Sequence, residues 1–294
     1  IGNTGLRLGL SATPRRWFDE KGTESIFDYF GPVCFEFPLE KAIGKYLVPY
    51  EYKPELIHLT PEESDQYEDL TTKISKLLSL TKKNEDDTDI VLQLKKALLE
   101  RARIIANAES KVVRLLEIFR EMIDNSKRTS QELGHILVYC APGSHRDVLK
   151  LLSRLGLRCH EFVHYVSLPE RQRILDEFAS RRIQVLVAIK CLDEGVDVPS
   201  TETAFLLAST SNPREFIQRR GRILRLSEGK EKATIYDFIV GPRPEYIPMR
   251  RDIDAGLLRR EMPRFAEFAS AAANEFNARS VLWSLLDQYE LLNL

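Results

Sequence analysis

The sequence predicts an α/β protein, a parallel sheet flanked by helices, with an α-helical connector before it and helices after it. Apolar runs at 135–140, 158–166, 185–188, 204–207 and 233–239 alternate with helix-like stretches. Strands that read as near-continuous apolar runs are those covered on both faces, which is the parallel arrangement. Two capping boxes, Thr60-Pro-Glu-Glu63 and Ser167-Leu-Pro-Glu170, start helices before and within that alternation. Hydrophobic residues make up 43% of the 294 residues and charged residues 30%, which suits a globular chain with a sizeable core.

From the N-terminus, residues 6–10 form a short apolar run that reads as a buried strand, ending in the hydroxyl-rich turn Ser11-Ala12-Thr13-Pro14. Residues 33–38 read as a second strand, with a helix over 25–30 between them. The capping box at Thr60 predicts a helix to about Leu80, with Pro61 at its first position. A polar break over 82–87 follows. Apolar residues Leu94, Leu98, Ile105, Val112, Leu115, Leu116, Phe119 and Met122 then mark one long amphipathic helical segment. Residues 125–132 are polar and read as a loop, which sets a boundary near 130. Helices are expected over 144–155 and from Ser167 to 178, between the strands. After Val240 a proline- and arginine-rich stretch leads to two amphipathic helices ending at Leu291.

Net charge is -1, so any nucleic-acid binding must come from local patches. Cys34, Cys140, Cys159 and Cys191 are widely spaced with no C-x-x-C pair, which suits reduced thiols rather than zinc. No apolar run is long enough to span a bilayer, and no secretory leader is legible, so a cytoplasmic, nucleoid or nuclear location is expected. His160-Glu-Phe-Val-His164 matches a zinc-protease pattern that works only on a helix. On the strand predicted there, the two histidines would stand about 13 Å apart and could not share a metal.

The most specific stretch is Gln218-Arg-Arg-Gly-Arg-Ile-Leu-Arg225. Guanidinium groups are not buried without partners, so an anion is expected there. Gly221 removes a side chain at the point of closest approach, and on a helix Arg222 and Arg225, spaced i, i+3, would share a face. Arg219 and Arg220 would face elsewhere and serve structure. In a parallel sheet ligands bind beyond the carboxyl ends of the strands. Residues 139–144, 189–199 and 209–225 all fall at that edge.

Four segments then line up with a known family. Leu8-Gly-Leu-Ser-Ala-Thr-Pro14 resembles motif III of superfamily 2 helicases and translocases, and Ile136-Leu-Val-Tyr-Cys140 resembles motif IV. Ala188-Ile-Lys-Cys-Leu-Asp-Glu-Gly-Val-Asp-Val-Pro199 resembles motif V, and the arginine stretch resembles motif VI. Within the superfamily, Phe30-Gly31, Tyr46-Leu-Val-Pro-Tyr50 and the helical connector resemble XPB-like DNA helicases and the ATPase subunits of restriction and phage-defence systems. The sequence contains no G-x-x-x-x-G-K-[ST] phosphate loop and no D-E-x-[DH] box, which in the family precede motif III.

The resemblance implies a RecA-like second lobe over 131–240, the end of a first lobe over 1–50, a connector over 51–130 and a helical extension over 241–294. It implies an ATP-dependent DNA helicase or translocase, with the phosphate loop and Mg²⁺ ligands on a missing N-terminal lobe, and with nucleic acid, DNA over RNA, as partner. A larger complex is possible in such systems, and no membrane is involved. By resemblance Arg222 and Arg225 are finger arginines, and Gln218 and Gly221 shape their helix. Gly195 approaches the γ-phosphate and Asp197 the ribose. Ser11 and Thr13 couple the nucleotide to the nucleic-acid track. The loop with Ser144 opens a helix N-terminus suited to a phosphate, or is a plain N-cap. Ile189 stands where many relatives carry a threonine, which leaves nucleic-acid contact to backbone amides or Lys190. An RNA helicase and a non-catalytic RecA-like docking module stay open as alternatives.

Overall fold

The computed structural model describes residues 6–11, 13–15, 19–82, 87–163, 166–189, 198–208, 212–245 and 247–293. Six strands form one sheet: β1 (Tyr50–His58), β2 (Ile136–Tyr139), β3 (Cys159–Phe162), β4 (Val185–Ala188), β5 (Thr203–Leu206) and β6 (Ala233–Gly241). Their order is β1-β6-β5-β2-β4-β3 and every neighbouring pair is parallel. Register places Ile136 opposite Val185 on one side and Thr203 on the other.

Alternate residues of each strand point to opposite faces, so a sheet with two apolar faces needs helices on both. Leu137, Tyr139, Leu186, Ala204, Leu206, Ile235 and Ile239 build one core. It is covered by α7 (Leu168–Ala179), α8 (Pro213–Ile223), α9 (Arg251–Ser270) and α10 (Glu275–Gln288). Ile136, Val138, Val185, Val187, Phe205 and Phe238 build the other, under α5 (Glu109–Thr129) and α6 (His145–Arg154). The expected parallel α/β sheet is therefore present.

The capping box at Thr60 is complete. Its hydroxyl accepts from the Glu63 amide, the Glu63 carboxylate accepts from the Thr60 amide, and α3 (Pro61–Thr81) follows. The other carboxylate oxygen of Glu63 accepts from the Glu109 amide at 3.0 Å and so joins the starts of α3 and α5. At α7 only half of the expected box forms: the Ser167 hydroxyl accepts from the Glu170 amide, while the Glu170 carboxylate accepts from Arg173.

Five readings are corrected. Residues 6–10 and 33–38 form no strand: Leu6 is 95% exposed, Leu10 89% and Phe35 77%. An apolar strand needs a paired neighbour and a face to bury, and neither segment joins the six-stranded sheet. The helix between them is α1 (Glu20–Phe30), longer than expected because Asp19 caps it. The long segment after 87 is two helices, α4 (Thr88–Ala106) and α5, separated at Asn107 and Ala108. Residues 125–129, read as loop, continue α5, since a polar composition does not end a helix whose last turns lie at the surface. Strand β3 stops at Phe162, four residues short of its expected end.

Strand β1 was not legible, because Lys53, Pro54 and Glu55 interrupt its apolar pattern. It falls in the stretch expected to be connector, yet pairs with β6 along its whole length. Proline is tolerated there because β1 is an edge strand that pairs on one side only.

A chain of buried charge links both layers to the sheet. Asp237 on β6 accepts from Tyr52 at 2.9 Å and from Arg264 on α9 at 2.8 Å, and Arg264 also donates to Glu261 at 2.7 Å. Nearby, Lys111 on α5 is buried and donates to the Leu207 carbonyl at 2.7 Å. Burial pushes its ammonium down to about 8 from an ordinary 10.5. Unfolding lets Lys111 rebind a proton between those values, so its contribution to stability should grow as pH rises from about 8 towards 10.5. The limit is about 1.4 kcal/mol per pH unit. Urea unfolding of the wild type and Lys111→Met between pH 8 and 10 checks this: the wild type should gain on the variant as pH rises, and a flat or falling difference would contradict it.

Candidate functional site

The connection after β2 runs through α6 to β3 on one side of the sheet, and that after β5 runs through α8 to β6 on the other. Adjacent strands whose connections leave in opposite directions open a crevice at their carboxyl ends, where such sheets bind ligands. Here the protein fills that crevice itself. Arg219, buried on α8, lies 4.0 Å above the Tyr139 ring at the end of β2. It also donates to the Ala208 carbonyl just after β5 at 3.4 Å and to Glu215 at 3.3 Å.

Arg220 is also used internally. Its guanidinium donates to the backbone carbonyl of Glu267 on α9 and, at 2.6 Å, to the Glu267 carboxylate, and it packs over the Phe268 ring. Phe216 and Ile223 are buried on the same helix. With these side chains turned inward, Gly221 and Arg222 are half-buried and Arg225 is exposed.

Gly221 has no structural need within the described residues. Its φ is not positive, and a Cβ built there meets no atom within 4 Å. Glycine inside a helix costs about 1 kcal/mol relative to alanine. The open space beside it therefore suits a group from outside the described residues.

Arg222 and Arg225 do not share a helix face, contrary to the spacing argument. Helix α8 ends at Ile223, and Arg225 lies beyond it in an antiparallel bridge with Leu47. The Val48 amide donates to the Leu224 carbonyl at 2.8 Å, so a contact far away in sequence draws the chain off the helical path.

The remaining expected residues are placed unevenly. Gln218 is half-buried on α8. Ser144 immediately precedes α6 at the same sheet edge, but its hydroxyl donates to the Ala141 carbonyl at 3.1 Å instead of capping the helix. Cys140 is buried at the end of β2, which pushes its thiol up to about 12. Ser11 accepts from the Thr13 amide at 3.1 Å in a local turn. The stretch around that turn packs on α1, with Arg7 on Tyr29 and Gly9 against Phe30, and makes no strand pairing with the sheet. Lys190, Gly195, Asp197 and His164 lie outside the described residues. His160 lies on β3, as expected, where its ring meets the Glu161 carbonyl at 2.7 Å.

Sequence reasoning missed two residues here, Glu267 and Lys230. Lys230 is buried, and its ammonium donates to the carbonyls of Pro199, Ile223 and Arg225 at 3.0, 2.5 and 3.1 Å. A lysine in a glycine turn just past a helix end is the signal that was available.

Residues 110–227 match the family model for the helicase conserved C-terminal domain. That stretch is similar to helicase C-terminal domains, in line with the resemblance to superfamily 2 helicases and translocases. It is 31% identical over 260 residues to the DNA 3'-5' translocase XPB2 of Sulfurisphaera tokodaii, covering 83% of this chain and 55% of that protein. It is 26% identical over 236 residues to a protein named helicase 22 from a Sulfolobus islandicus filamentous virus, covering 80% of this chain and 38% of the relative. The chain thus spans about half the length of the first relative and less of the second. The solved helicase domain of Pyrococcus furiosus Hef overlaps 74% of this chain with TM-score 0.45 and 16% identity, a fit too loose to add to the assignment. Among the described residues no helix is long and apolar enough to cross a membrane, and no group of three or more His, Cys, Asp or Glu could hold a metal ion.

The division of labour on α8 makes opposite predictions for neighbouring residues. Arg220→Ala should lower the urea unfolding free energy by about 2 kcal/mol, because it removes a buried side chain that packs on Phe268 and donates to the Glu267 carbonyl. Gly221→Ala should raise it by about 0.5–1 kcal/mol. Arg220 is therefore unsuitable as a neutral control in activity measurements.

Proposed function

We propose that this chain is part of an ATP-driven DNA helicase or translocase, in which residues 131–240 act as the second RecA-like lobe and present Arg222 and Arg225 to a bound nucleotide. The open space beside Gly221 carries the reading. It adjoins Arg222, near the end of a helix whose Arg219 and Arg220 are held inside the fold. A planar, permanently charged guanidinium suits charge spread over phosphoryl oxygens, and a finger of this kind contributes about 10³ to 10⁵ in rate.

The reaction also needs a phosphate loop and carboxylates that hold Mg²⁺, which are absent from these 294 residues. We place them on a partner lobe. The exposed apolar residues of 6–10 and 33–38 fit strands that complete the sheet of that lobe, which supports assigning the early part of 1–50 to its end, whereas Leu47, Val48 and Tyr50 pack with the second lobe. The helices of 51–130 then act as connector and those of 241–294 as an extension. When bound, ATP with Mg²⁺ supplies the transferable phosphoryl group and the charge that holds it. Gln218 and Gly221 shape the arginine helix, Gly195 and Asp197 meet the phosphate and ribose, and Ser11, Thr13, Ser144 and Lys190 follow the nucleic-acid backbone. DNA is favoured over RNA because the XPB2 relative is named as a DNA translocase.

In the full-length protein, Arg222→Ala or Arg225→Ala should lower nucleic-acid-stimulated ATP turnover by about 10² or more while nucleotide affinity changes less, because a finger acts on transition-state charge. Lysine at either position should not restore it, since an ammonium lacks the two-pronged geometry. Steady-state ATPase assays with duplex DNA, single-stranded DNA and RNA as stimulants check both points. Near-normal turnover in folded alanine variants would turn the arginine helix into a docking surface.

A further inference from the structure

Lys230 has no part in the reading above, yet its buried ammonium reaches the end of the arginine helix. A lysine ammonium has three donors, and three backbone carbonyls meet this one: Ile223, the last residue of α8, Arg225, just beyond it, and Pro199 from another part of the chain. The last carbonyls of a helix have no intrahelical partner and carry the negative end of its dipole, so a cation is favoured there. Pro199 closes the stretch that resembles motif V. Lys230 thus ties Pro199 to the arginine stretch through one atom.

The tie is held from behind. The Lys230 amide donates to the Ser227 carbonyl at 3.1 Å, and Gly229 takes a φ of 75°, so the chain after Arg225 turns back under the helix. Leu47 also bridges Arg225, and the Val48 amide donates to the Leu224 carbonyl. The Leu224–Arg225 backbone is held by both residues 47–48 and Lys230.

We propose that Lys230 is a positioning residue for the nucleotide site, fixing the backbone of Arg225 relative to Pro199. This rests on the reading that Arg225 faces phosphate. Lys230 touches no substrate; it sets where the Arg225 guanidinium starts from. A misplacement of about 1 Å in such a group can cost about 10²-fold in rate.

The test compares full-length wild type, Lys230→Met, Lys230→Arg and Arg225→Ala. Each is assayed for DNA-stimulated ATP turnover over a range of ATP, for thermal unfolding, and for amide hydrogen exchange of peptides covering 198–202 and 222–226. Lys230→Met should lower kcat by tenfold or more with KM for ATP little changed, Lys230→Arg should recover part of it, and exchange should quicken in both peptides together. A folded Lys230→Met with wild-type kcat would overturn the proposal, as would faster exchange confined to residues around 230. If Lys230→Met does not fold, the Lys230→Arg exchange pattern decides in the same way. If the wild type itself shows no stimulated turnover, the phosphate reading fails, while the exchange data still test the clamp.

Discussion

The Asp237 carboxylate, buried in the last strand of the sheet, holds Arg264 of α9 at 2.8 Å, and the placement of the candidate site follows from that pair. Ions this deeply buried are tolerated only when paired, and removing one partner costs about 3–5 kcal/mol. Arg264 fixes α9 against the sheet, and one turn further along, α9 presents Glu267 and Phe268 to Arg220 of α8. The orientation of the arginine helix is thereby set from the helix behind it. Tyr52 adds its hydroxyl to the same carboxylate, which brings the edge strand β1 into the arrangement.

From there the edge of the sheet explains itself. The crevice between β2 and β5, where a sheet of this topology would take a ligand, is occupied by Arg219 stacked on Tyr139. On the proposed reading, binding is displaced outward along α8, to the open side of Gly221 and to Arg222. Lys230 and residues 47–48 then hold the chain after the helix, so the outer arginines sit on a support fixed by both.

How legible this was depended on how local each cause is. The Val-Leu-Val-Ala run of β4 was read at its true limits, because burial on both faces writes itself as an unbroken apolar run. The Thr60 capping box likewise carries its partners within four residues. Strand β1 was hidden because Pro54 and Glu55 make sense only once its edge position is known. Residues 6–10 misled for the opposite reason: their pattern is strand-like, but no neighbouring strand among the described residues accepts them. At the site, the resemblance found the arginine helix and the helicase C-terminal domain, and the structural use of Arg219 and Arg220 matched expectation. The shared face of Arg222 and Arg225 did not, because the departure of Arg225 from the helix depends on Leu47 and Val48, far away in sequence.

The central claim is that the open side of α8 faces the reacting phosphate of a bound nucleotide. It is tested most directly by the structure of the full-length protein with ADP, Mg²⁺ and a fluoroaluminate mimic of the transferred phosphoryl group. The account predicts the Arg222 and Arg225 guanidinium groups within hydrogen-bonding distance of the fluorides, about 2.7–3.2 Å, with Gly221 in contact beside them. A nucleotide bound with both arginines turned away, to solvent or to another protein surface, would contradict it.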